Sequence, residues 1–138
     1  LQPSAAHCYV IFRNILRSID RSKEAISIIK KGILLNPYPL HWYYSGLGMA
    51  YTDSGQYDEA IKAFNKSIEI DPSWIAYLGL AIVYGHLGYE KEAKEAGLEL
   101  LSHRPNFSIE EFVKITPYKN QDHISLIAEA LCKAGLPE

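Results

Sequence analysis

The chain has 138 residues, 48% hydrophobic and 22% charged, which suits a single packed globular domain and excludes an intrinsically disordered segment. Lysine plus arginine number 14 against 16 aspartates and glutamates, a net charge of −2 with no basic run or stripe, so nothing points to nucleic acid. No apolar run approaches the roughly 20 residues of a membrane span, and no signal peptide is expected.

Cys8 and Cys132 lie at opposite ends and form no CxxC pair, so both are expected to be reduced, semi-buried thiols. The chain begins at Leu1 without an initiator methionine. The expectation is a piece of a longer protein, cytoplasmic unless the remainder directs it elsewhere.

One pattern of residue sizes comes round three times. Ala25, Ala60 and Ala93 stand 35 and 33 residues apart, and other columns follow them. Pro37, Pro72 and Pro105 align, as do Glu24, Glu59 and Glu92, and Tyr9, Tyr44 and Tyr77. A period of about 34 residues predicts stacked helical hairpins, each too short to bury its apolar face without a neighbour.

The first unit, 6–40, is the least regular. Its second helix, Lys23 to Leu35, fits the pattern, but its first carries Arg13 where Gly48 and Ala81 stand in the later units. A guanidinium cannot stay unpaired between two close helices. Either Arg13 reaches outward or its helix is displaced. The run Cys8 to Phe12 is apolar on more than one side, which suits burial by an upstream repeat or contact with a second copy of the chain.

The second unit, 41–73, is the clearest. Tyr44, Leu47, Gly48 and Tyr51 share one face of a predicted first helix. Gly55 breaks that helix. A second helix from Asp58 to Ile70 turns Ala60, Ile61, Phe64, Ser67 and Ile68 inward, and Asp71-Pro72 stops it. The third unit, 74–106, repeats the scheme with Tyr77, Leu80, Ala81, Tyr84, Gly88, Ala93 and Pro105. After Pro105 the pattern degrades. Ser108 with Glu111 reads as a capping box opening a helix over 109–115, and a last helix runs from Asp122 to Ala134. We read 107–138 as a degenerate fourth hairpin that caps the array, with Glu110, Lys114, Glu129 and Lys133 on its polar outer face.

The residues Tyr44, Leu47, Gly48, Tyr51, Ala60, Phe64, Ser67 and Pro72 resemble the tetratricopeptide repeat. The resemblance implies an all-α fold: a right-handed α-solenoid of helical hairpins with a C-terminal helical cap, one domain over 1–138. In this family the third unit departs at Gly97, where a bulky residue is expected; Phe107 or Phe112 is a candidate to fill the space. The tail from Ala128 to Glu138, with Pro105 to Ser108 before it, is similar to the ends of tetratricopeptide arrays in bacterial multidomain signalling proteins that carry a nucleotidyl cyclase-like domain. That likeness suggests a second reading, a regulatory or self-associating C-terminal region of a larger enzyme.

Little in the sequence carries chemistry. The five histidines form no metal-ligand spacing, and His86 and His103 near helix ends suit the helix dipole as cations. No glycine-rich loop cradles a phosphate, and no serine has a nucleophile's context. The expectation is a non-catalytic chain with no metal and no cofactor.

What the resemblance implies instead is a concave groove lined by the first helices: Val10 and Asn14, then Trp42, Ser45, Met49 and Thr52, then Ile75, Leu78, Ile82 and His86. Members that clamp a terminal carboxylate use Lys, Arg and Asn there. Only Asn14 matches, while Val10, Gly46, Ile75 and Gly79 replace the others, so a carboxylate clamp is not expected. Trp42, Met49, Ile75, Leu78 and Ile82 would form an exposed apolar patch. Its occupant would be an amphipathic helix of a protein partner, the chain's own tail or a second protomer; failing those, the residues pack against a neighbouring first helix. Nucleic acid and membrane are not expected partners.

Overall fold

A computed structural model describes residues 22–35, 41–115 and 121–138. The first helix of the first unit, with Val10, Arg13 and Asn14, and Cys8 lie outside the described residues. Among the described residues there are seven helices and no strand. They are α1 (Ser22–Leu35), α2 (His41–Asp53), α3 (Tyr57–Ile70), α4 (Trp74–Leu87), α5 (Glu90–His103), α6 (Ile109–Ile115) and α7 (Gln121–Lys133). The fold is all-α and built from helical hairpins. The chain divides into two compact units, Leu1–Pro72 and Ser73–Glu138, at the border of two sequence repeats.

In the first unit α2 packs on α1 and on α3. The α2–α3 hairpin closes at Gly55, whose φ of +79° an L side chain rarely adopts. Gln56 N–H donates to the Tyr51 carbonyl at 2.8 Å, and Gly55 N–H to that of Thr52 at 3.1 Å, which satisfies carbonyls the helix end would leave open. Close approach of the two helices depends on Gly48. A Cβ there would fall 2.6–2.8 Å from the ring of Phe64, itself fully buried. Ala60 is fully buried as well.

The same interface carries buried polar groups. The Ser67 hydroxyl of α3 donates to the His41 carbonyl at the start of α2, at 2.8 Å, and so accepts from the Ser45 hydroxyl, at 2.7 Å. Both serines are buried, and each oxygen is paired, as burial of polar atoms requires. On the other side of α2, the Lys30 ammonium of α1 sits 5.5 Å from the centre of the Tyr51 ring.

In the second unit α4 and α5 form the matching hairpin, closed at Gly88 with φ +77° and a 3.0 Å bond from Tyr89 N–H to the Tyr84 carbonyl. Against this hairpin lies α7. It packs on α4, where a Cβ on Gly85 would fall 2.7 Å from the Cβ and carbonyl oxygen of Ala130. It also reaches α5, where a Cβ on Gly97 would fall 2.6 Å from the Ala134 carbonyl oxygen and 3.6 Å from Leu136. The expected phenylalanine filling of Gly97 is therefore corrected: backbone from the end of α7 takes the space.

The short helix α6 packs on α7. Its start carries the expected cap, with Glu111 N–H donating to the Ser108 hydroxyl at 3.1 Å, and Ile109 N–H donates to the Pro137 carbonyl at 2.9 Å. The outer face is polar, with Lys114 paired to Glu110 at 3.2 Å and Lys133 to Glu129 at 3.5 Å. Cys132 is a free thiol on that face, exposed rather than semi-buried, because the inward positions of α7 are taken by Ile127, Ala130 and Leu131.

At its end α7 has Gly135 at φ +78° and Leu136 N–H bonded to the Leu131 carbonyl at 3.2 Å, repeating the closure that ends α2 and α4.

Candidate functional site

The first helices were expected to present an apolar face to a partner. Within the described residues, Ser45, Met49, Leu78 and Ile82 are only 1%, 5%, 3% and 1% exposed. Thr52 is buried too, its hydroxyl donating to the Gly48 carbonyl at 2.8 Å. The expectation of an exposed patch through Met49, Leu78 and Ile82 is corrected on this point.

The physical reason lies in the helices themselves. From His41 to Thr52 and from Trp74 to Leu87 there is no aspartate, glutamate, lysine or arginine, so neither α2 nor α4 has a charged face to turn to water. A helix apolar all round is buried. Each also has two helical neighbours within its own unit, α1 and α3 for α2, and α5 and α7 for α4. The missing charge was visible in the sequence and was the signal to use.

Trp42 and Ile75 remain half-buried, each in the first turn of its helix. The Trp42 ring lies flat on that of Tyr43, with centroids 4.8 Å apart and planes 8° from parallel. Tyr43 is buried, so it gives the indole a fixed seat. Val10 and Asn14, assigned to the same surface, fall outside the described residues.

His86 behaves differently from a dipole-stabilising cation. His86, in the last turn of α4, has its pKa lowered. Burial is the main cause, the nearby His123 of α7 and Lys133 add to it, and Glu129 opposes it. Desolvation outweighs the favourable end of the helix dipole here. His103 lies near Tyr77, ring centres 5.5 Å apart, and its Nδ1 is 2.9 Å from the Glu99 carbonyl, which requires a hydrogen on that nitrogen. Among the described residues no group of three or more His, Cys, Asp and Glu is placed to hold a metal ion. No helix of the described residues is long and apolar enough to cross a membrane.

Hairpins of two antiparallel helices, each closed by a left-handed glycine, with a small buried residue in the first helix, Gly48 in one and Ala81 in the other, define a helical-repeat protein. A family model of the tetratricopeptide repeat matches residues 41–73, the segment that contains α2 and α3. No curated protein matches the chain. The repeat points to a role in protein–protein interaction.

Proposed function

We propose that the chain is a non-catalytic protein–protein interaction scaffold that captures an apolar or amphipathic peptide segment through its first helices. The observation that carries this reading is the position of Trp42 and Ile75. They are large apolar residues left half-open to solvent at the starts of helices that are otherwise buried. Ser45 and Met49 in the first unit, and Leu78 and Ile82 in the second, are buried and do not themselves touch the partner. Large, rigidly held aromatic side chains are the usual anchors of protein recognition.

Selection of 16-residue peptides displayed on phage against the full chain supplies ligands for the test. Trp42→Ala is expected to weaken the selected peptides by at least tenfold, or about 1.4 kcal/mol, with helicity by circular dichroism unchanged. Equal binding by Trp42→Ala would remove Trp42 from the site. Light scattering over a hundredfold range of concentration tells a heterologous partner from a second copy of the chain. A mass that doubles, and does so only with Trp42 intact, would replace the peptide by a second protomer.

A further inference from the structure

We propose that the open end of the α4–α5 hairpin is a second recognition site, which takes an aromatic side chain and one neighbouring carboxylate of an acidic peptide. It lies wholly within the Ser73–Glu138 unit and does not depend on the role given to Trp42 and Ile75.

Antiparallel packing brings the start of α4 beside the end of α5, so Trp74 meets Arg104. The guanidinium carbon sits 4.5 Å from the centre of the indole. The chain then turns into α6 and supplies Phe107 and Phe112, whose ring centres are 6.1 Å apart at 37°. Together with Glu111 and Lys114 these residues line a cavity of about 330 Å³. Phe107 is buried, Trp74 and Phe112 are half-buried, and Arg104, Glu111 and Lys114 stand exposed at the rim. The volume is at the small end for a ligand site and the rim is wet, so one side chain reaching in from a peptide suits it better than an enclosed small molecule.

Charge decides what flanks that side chain. Lys114 is engaged by Glu110 at 3.2 Å. Arg104 has no carboxylate within ion-pair distance among the described residues. Its flat face is held by Trp74, which leaves the N–H edges for a two-pronged bond to a carboxylate. An aromatic ring entering between Trp74 and Phe112 meets the faces and edges that rings prefer. Glu111 on the α6 side repels a second anion there, so the ligand's carboxylate is directed to the α5 side.

The test uses the full chain, labelled with ¹⁵N, and three blocked peptides. These are acetyl-Glu-Phe-Glu-amide, acetyl-Gln-Phe-Gln-amide and acetyl-Glu-Ala-Glu-amide. The readout is the indole N–H resonance of Trp74, assigned with Trp42→Phe. The first peptide is expected to shift it saturably, and the other two to bind about tenfold more weakly or worse. Arg104→Gln should abolish the preference for Glu over Gln peptides. Phe112→Ala should weaken both phenylalanine peptides while the indole signal of the free protein stays dispersed. Equal affinity for the Glu and Gln peptides, or shifts confined to Trp42, would overturn the proposal. Binding unchanged in Trp42→Ala separates this site from the one proposed above.

Discussion

Ser67 shows how much one side chain of modest size can hold. Its hydroxyl donates to the His41 carbonyl and accepts from Ser45, tying the end of α3 to the start of α2. Ser67→Ala keeps the volume but leaves the Ser45 hydroxyl without its partner and takes from the His41 carbonyl the bond it has beyond its own helix. It is expected to cost about 1–3 kcal/mol in urea unfolding. Ser45→Ala removes one bond and leaves the Ser67-to-His41 bond in place, so its expected cost is smaller, about 0.5–1.5 kcal/mol. Equal costs would show that the two serines do not act in that order. The sequence marked Ser67 as a small inward residue. That its oxygen is used could not be read there, because its partners stand 22 and 26 residues away on another helix.

Single elements separate two uses of glycine that look alike in the sequence. Gly88 has φ +77° and open space where a Cβ would go, so Gly88→Ala strains the backbone alone, by about 1–2 kcal/mol. Gly85 sits in a helix with the backbone of Ala130 2.7–2.8 Å from its would-be Cβ, so Gly85→Ala must push α7 away from α4, at about 1–3 kcal/mol. Amide hydrogen exchange tells the two apart. Gly85→Ala should lower protection along α7 well before the rest of the unit opens, whereas Gly88→Ala should lower protection at the α4–α5 turn and leave α7 docked. Uniform loss in both variants would contradict a separable α7.

For the chain taken together, acidity is the relevant stress. His86 is held below its ordinary pKa, chiefly by burial. The folded form therefore binds a proton less readily than the unfolded form. The stability that goes with neutral His86 is present above the ordinary histidine value of about 6.5 and is lost as pH falls below it. Melting temperature is expected to drop between pH 7 and pH 5, and His86→Gln should flatten that slope. A slope unchanged by His86→Gln would place the acid sensitivity elsewhere. The sequence suggested a cation at this helix end; what reversed the sign was desolvation, which depends on packing that periodicity cannot supply.

Columns of matched residue size determined the helices. The end of α3 at Ile70, the turn at Gly55 and the capped start of α6 after Ser108 all follow from local rules: a proline that stops a helix, a glycine that takes positive φ, a hydroxyl that caps. Local rules act within a few residues, so one chain is enough to read them. Tertiary structure alone decided what each helix touches. It placed the end of α7 over Gly97, sank Met49, Leu78 and Ile82 out of reach, and set Arg104 on Trp74. Those outcomes depend on which apolar surfaces find each other across 30 residues or more, and burial is shared by all the neighbours that crowd a side chain rather than owned by its own helix.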